Sequence, residues 1–154
     1  MTTLGASLEV VEPGRVHIAA PSSPALTQQH GFVHAGVISS IADSACGYAA
    51  MTLAPAGAEV LTVEFKISLI APARGERFVA RATVLRAGKR LSFCIGEVYA
   101  VRDSDDVEVI DGSRPRRHVR DHDTLGGAGK EFVVHARALP ALLVPRGEVA
   151  ELGP

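Results

Sequence analysis

At 154 residues with a formal net charge of -1, the chain is long enough for one domain that buries roughly 70% of its unfolded surface, so no metal or disulfide is needed to hold a core. With 47% hydrophobic and 21% charged residues, it is neither a highly charged disordered chain nor a protein that grips nucleic acid through bulk charge. The absence of Trp and an aromatic content of 5% argue against base stacking as the main activity, which leaves a small molecule or a second copy of the chain as the expected partner.

No apolar run approaches the roughly 20 residues of a membrane span, and the opening MTTLGASLEVVEPGR has neither the basic segment nor the apolar core of a secretory signal. A cytoplasmic setting without membrane attachment is expected. Cys46 and Cys94 stand in apolar segments without CxxC spacing, which predicts two buried free thiols in place of a bridge or a metal site.

In chain order, residues 8 to 20 form two short β-type runs around Pro13-Gly14, a dipeptide that favours a hairpin turn. After a break at Pro21-Ser-Ser-Pro24, the polar stretch Thr27 to Gly31 leads into a segment from His34 to Leu53. There Val37, Ile41, Ala45, Tyr48 and Thr52 recur at helical spacing before Pro55. The opposite side carries Gly36, Ser39, Ser40, Asp43, Gly47 and Ala50. A mid-helix glycine costs about 1 kcal/mol relative to alanine, so Gly47 suggests close packing there.

Residues 61 to 70 alternate, with Leu61, Val63, Phe65, Ile67 and Leu69 on one face and Thr62, Glu64, Lys66 and Ser68 on the other. Turns at Arg74-Gly75 and Ala87-Gly88-Lys89 connect this strand to strands at 77–86 and 91–101, and these short connections predict an antiparallel meander. The pattern is an α+β layer arrangement, with one long helix covering the apolar face of an antiparallel sheet.

Past Val101 the character changes. Val107 to Ile110 begins a strand, but Asp111 to His118 has neither alternation nor helical period. Phe132 to Leu139 fits a late strand that Pro140 would end. The division is therefore a domain at 1–110 carrying fold and site, and a divergent segment at 111–154 with one late strand at 131–139 or without order. Two origins fit that segment, a divergent extension and a shifted reading frame. Without a further strand the sheet would keep an unprotected edge.

Two features carry chemistry. The helix starts without Ser, Thr, Asp or Asn at the cap, so its first N–H donors are open to a ligand or capped by His34, and the dipole there favours a carbonyl oxygen gaining charge. Asp43, among small residues with no evident charge partner, is an exposed helix acid or a group held for catalysis. The two lie eight residues, or about 12 Å, apart along the axis. One helix cannot bring both to one carbon, whereas two antiparallel helices across a two-fold axis can, so a shared site requires a homodimer.

Gln28, Gly31, His34-Ala35-Gly36 and Asp43, followed by Ala45 and Gly47, resemble the motif of the phenylacetate-degradation (PaaI-like) type of hotdog-fold acyl-CoA thioesterase. The family's His-Gly-Gly stands here as His-Ala-Gly, compatible with use of the backbone N–H. The resemblance spans residues 4 to 102 and implies a hotdog fold, a sheet wrapped around one central helix. It also implies Asp43 as base or nucleophile, the N–H of Ala35 from the partner chain as oxyanion donor aided by the Gln28 amide, Thr62 as water-orienting hydroxyl, and His34 and Gly36 shaping the pocket. The substrate's coenzyme A phosphates would meet Arg86, Gly88, Lys89 and Arg90; no separate cofactor and no metal are implied, and a dimer or dimer of dimers is expected. Two other readings compete. One is an acyl-CoA-binding module without turnover. The other is an acyl-thioester hydratase or dehydratase, which needs a paired His and acid and whose His-Phe-Pro pattern is absent.

Overall fold

The computed structural model describes residues 1–69, 72–101 and, for its backbone pairing, the strand at 133–145. The described residues form six strands and one long helix: β1 Ser7–Glu12, β2 Arg15–Pro21, α1 Ala35–Met51, β3 Ala58–Leu69, β4 Arg77–Arg86, β5 Leu91–Val101 and β6 Val133–Pro145. The hairpin expected around Pro13-Gly14 joins β1 to β2, with Gly14 at φ 73°, where a side chain would be strained. Its N–H donates to Thr52 Oγ1 at 2.7 Å and its carbonyl accepts from Val84 N–H at 2.8 Å, which ties the hairpin to the end of α1 and to β4.

The sheet is antiparallel throughout, in the order β1-β2-β4-β5-β6-β3. The α+β class stands, with one helix packed against one antiparallel sheet. The simple meander does not: β3 pairs with β6, and β4 pairs with β2 and β5. The connection after β3 is a crossover between distant strands, long enough at roughly 3.3 Å per residue to span two intervening strands. Ala73 in this crossover accepts from Val33 N–H at 3.0 Å, and Glu76 N–H donates to Val101 O at 2.9 Å. The first bond brings the crossover against the loop that precedes α1, and the second ties its end to the end of β5, Leu91–Val101.

The late strand continues through Pro140 instead of ending there. With β6 inside the sheet, β3 is the edge. The β3–β6 ladder steps from Thr62↔Ala141 to Glu64↔Leu139 and skips Val63, opposite Pro140, because proline has no N–H to give. The inward face of β3 changes there: Val60 packs on the core before the step, Phe65 and Ile67 after it. Leu61, Val63 and Leu69, expected inside, are 38%, 48% and 49% exposed, while Thr62, expected outward, faces the helix. The strand start expected at Val107 to Ile110 lies outside the described residues.

The core lies between α1 and the inner face of β2, β4 and β5. Ile38, Ile41, Ala42, Ala45, Cys46, Ala49 and Ala50 of α1 are buried, against Val16, Ile18, Phe78 and Val98. Ala80 and Ala82 of β4 face the helix too, and small residues on both sides let the helix approach closely. The buried face is broader than the predicted stripe, because α1 covers several strands, and Tyr48 falls at its rim, 39% exposed. Nothing among the described residues lies within 4 Å of where a Gly47 Cβ would stand, so the close packing expected there is not made within one chain. Among the described residues no helix is long and apolar enough to cross a membrane.

Candidate active site

The start of α1 is built by the loop before it. Gln28 N–H donates to Phe32 O at 2.7 Å and Gly31 N–H to Gln28 O at 2.9 Å, a tight loop in which Gly31 takes φ 75°. His34 N–H donates to Leu26 O at 2.8 Å, so the chain enters the helix in a fixed direction. His34 is the N-cap: its Nδ1 accepts from Gly36 N–H at 2.9 Å. A Cβ on Gly36 would come within 3.0 Å of that nitrogen, so the glycine gives the ring its room.

The expectation of open donors thus fails at Gly36 and holds at Ala35, whose N–H has no hydrogen-bond partner among the described residues. Sequence reasoning left the His34 cap open because histidine is outside the usual capping set, although a neutral imidazole nitrogen accepts as a carboxylate does. The Gln28 side chain is anchored through Oε1, which accepts from His30 N–H at 3.0 Å.

Beside this helix start lies a cavity of about 550 Å³. Gln28, His34 and Ala35 reach it, and Phe32, Ile38, Leu69 and Ala73 form much of its apolar wall. These apolar residues carry no motif; only the crossover bond from Val33 to Ala73 unites them, and no sequence pattern announces it. Arg74 stacks on the Phe32 ring at 5.3 Å.

Asp43 stands about two turns further along α1, half-buried. Thr62 Oγ1 donates to its Oδ1 at 2.8 Å, so the strand hydroxyl and the helix acid singled out separately in the sequence meet in one chain. No cation forms a salt bridge with Asp43 among the described residues. In the register Thr62 stands opposite Ala141, and Ala141 opposite Ser92, a buried serine of β5. Cys46, one turn beyond Asp43, and Cys94 are free and buried, and Cys94 Sγ–H donates to Cys46 O at 3.5 Å. Burial pushes the Cys94 thiol up to about 11, and burial, then the Cys94 and Asp43 charges, push Cys46 further in the same direction.

Arg86, Gly88, Lys89 and Arg90 form the exposed turn between β4 and β5. A Cβ on Gly88 would meet Leu91 O at 2.5 Å, so this glycine is required by the turn itself. The bonds from Val84 to Gly14 and from Gly14 to Thr52 set the turn near the far end of α1, and 17 helical residues extend about 25 Å. One chain therefore holds two separated halves. Ala35, Gln28, His34 and the cavity gather at the helix start; Asp43, Thr62 and the basic turn belong to its middle and end. Among the described residues no three His, Cys, Asp or Glu side chains converge as a metal site.

Residues 30–107 match the family model of the thioesterase superfamily. A Halobacterium salinarum protein named "Putative esterase" is 30% identical over 113 residues, covering 70% of this chain and 74% of its own. The crystal structure of a thioesterase family protein from Silicibacter pomeroyi is 38% identical, covers 94% of this chain and 88% of its own, and superimposes with a TM-score of 0.74. Two more distant structures share the fold. PaaI of the E. coli phenylacetic acid degradation operon has 17% identity, coverage of 93% and 82%, and a TM-score of 0.67. A Bacillus halodurans protein whose structure holds CoA has 18% identity, coverage of 83% and 66%, and a TM-score of 0.60.

Proposed function

Given that the chain belongs to the thioesterase superfamily, we propose that it hydrolyses an acyl-CoA thioester to the free acid and coenzyme A, in sites shared between the two subunits of a homodimer. The observation that carries this reading is the 2.8 Å hydrogen bond from Thr62 to Asp43. It holds a helix carboxylate by a neutral donor, leaving its charge uncancelled and its second oxygen to accept a proton.

In the proposed reaction Asp43 of one protomer removes a proton from water, and the water oxygen bonds to the thioester carbon. The carbonyl oxygen gains negative charge and is received by the partner's Ala35 N–H, the donor left open at the helix start, with the partner's Gln28 amide as a second donor. Collapse of the tetrahedral intermediate breaks the C–S bond, and the thiolate leaves with the electron pair. A thiolate is a good enough leaving group for one carboxylate and an oxyanion hole to suffice. His34 serves by capping the helix, which orients the neighbouring amide. Arg86, Lys89 and Arg90 offer the CoA phosphates a fork and point-charge environment, with Gly88 shaping their turn. The Bacillus halodurans structure with CoA supports this ligand class.

The dimer follows from the separation of the halves. Ala35 and Asp43 lie about 12 Å apart along one helix, so a reacting carbon that touches both an amide and a carboxylate takes them from different chains. The edge strand β3, with Leu61 and Val63 exposed, and the open space over Gly47 suit a second copy; pairing of two such dimers gives the tetramer. The test is thiol release from a panel of acyl-CoA esters, measured with a thiol-trapping dye. Wild-type protein releases thiol, and Asp43→Asn binds the ester without releasing it. Binding without thiol release by the wild type would establish a non-catalytic module, and hydration without free thiol a lyase.

A further inference from the structure

We infer that the β4–β5 turn, from Leu85 to Leu91, docks the protein on an anionic lipid surface, its leucines entering the interface and its cations meeting the lipid phosphates. The inference needs no turnover, so it stands or falls apart from the hydrolase reading.

The turn is built to project apolar groups. Between the pairs Val84↔Cys94 and Arg86↔Phe93 the ladder advances two residues on β4 and one on β5, so Leu85 is the extra residue of a bulge. A bulge re-aims the side chain that it carries, and Leu85, at 62%, is the most exposed large hydrophobic residue among those described. Leu91 is exposed on the opposite shoulder. A Cβ on Gly14 would meet Leu53 at 3.3 Å and Val84 at 3.8 Å, so the exposed Leu53, past the end of α1, adds to the same end of the molecule. The phosphates of a free coenzyme call on the cations alone. Leucines placed among those cations match the boundary between lipid headgroups and acyl chains.

The charge agrees. Arg86, Lys89 and Arg90 are exposed, and none of them forms a salt bridge among the described residues. From Arg77 to Gly96 the chain holds no Asp or Glu, and on the neighbouring hairpin Glu12 is paired with Arg15 at 2.6 Å. A folded acidic partner would need a surface shaped to this projecting turn, whereas a fluid interface accepts it as it is. The contact is peripheral and requires no membrane span, the feature whose absence from the sequence argued against attachment. Each cation near an anionic surface strengthens binding about fivefold, and covering the exposed part of Leu85 about tenfold.

Vesicle sedimentation of the full-length protein at low salt tests this, with phosphatidylcholine alone and with about 30% phosphatidylglycerol added. The expected affinity for the anionic vesicles is roughly 100-fold higher. It falls about fivefold in Lys89→Gln and about tenfold in Leu85→Ser. Leu8 is also exposed but pairs with Ile18, and Ile18 with Ala80, which sets it about 20 Å along the sheet from Arg86; Leu8→Ser changes binding by less than about twofold. The chain has no Trp, so Leu85→Trp carries a single indole at the turn, and its emission moves to shorter wavelength on anionic vesicles. Equal affinity for both vesicles, Leu85→Ser as tight as wild type, or unshifted emission from folded Leu85→Trp overturns the inference. Binding to polyglutamate without binding to vesicles would make the occupant an acidic protein, and self-association through Leu85 without vesicle binding would make it a second copy; either result overturns it too.

Discussion

Replacing Thr62 by valine keeps the branched shape of the side chain and removes one hydroxyl, the group that donates to Asp43 Oδ1 at 2.8 Å. That distance is ordinary for O–H···O, and the acceptor is a carboxylate, for which such bonds contribute about 1.5–3 kcal/mol. Both residues are half-buried, so water partly replaces the lost partner and the lower part of the range, about 1.5–2 kcal/mol, applies. If the bond holds the carboxylate in line with the attacking water, this converts to a loss of about 10- to 30-fold in kcat. The assay is thiol release at saturating acyl-CoA with KM determined in parallel for wild type, Thr62→Val and Thr62→Ser. Valine lowers kcat by that factor with KM changed by less than about twofold, and serine, which restores the donor, recovers most of the loss. A valine variant as fast as wild type, or a serine variant as slow as valine, would refute the positioning role.

Three further outcomes follow from the fold. Ile41 is fully buried at the centre of α1, so Ile41→Ala lowers unfolding stability by about 2–5 kcal/mol in urea titration; a loss under about 1 kcal/mol would mean that the helix does not seal the core as described. His17 on β2 is held below its ordinary value of 6.5 by burial first, then by Arg81 and Arg15, with Glu9 and Glu12 pulling the other way. The unfolded chain therefore takes up this proton at higher pH than the folded chain. The contribution is neutral to stability above pH 6.5 and becomes a penalty as the pH falls from 6.5 toward the folded value. His17→Gln loses less urea resistance than wild type on acidification from about pH 7.5 to about pH 5, and an equal loss in both would contradict the assignment. Cys46 and Cys94 are buried with raised thiol values, so iodoacetamide at neutral pH labels neither until denaturant is added, and rapid labelling of the native protein would show the core to be open.

The parts of this molecule that rest on local chemistry were legible in the sequence. The strands at 77–86 and 91–101, the hairpin at Pro13-Gly14 and the long helix all appear where turn residues and periodicity put them. What depends on distant pairing was not. The alternation from Leu61 to Leu69 is as regular as an alternation can be, yet it does not say which neighbour the strand takes. The inward face of β3 changes where its ladder to β6 skips one pair, and Thr62, on the face opposite to Phe65 and Ile67 in the alternation, meets Asp43. The proline that reads locally as a strand end is tolerated because the ladder skips one pair opposite it. At the site, Asp43 and the helix start at His34 stood out by type and position and Gln28 and Thr62 through the family resemblance, while the cavity wall at Phe32, Leu69 and Ala73 did not, since ordinary apolar residues become a pocket only when a crossover assembles them.

The place of β6 between β5 and β3 also orders events during synthesis. β3 leaves the ribosome roughly 60 residues ahead of β6, its partner among the described strands, a delay on the order of 3–12 s at about 5–20 residues per second. Through that interval β1, β2 and β4 have their described neighbours and β5 has one of its two, so these four can close over α1, whereas β3 lacks the ladder it makes with β6. Its non-local pairing is the slow kind, and Leu61 and Val63 stay available to wrong partners while it waits. The helix, made before β3, is the other described element that the strand packs against, and the bond from Thr62 to Asp43 ties the two together independently of the sheet.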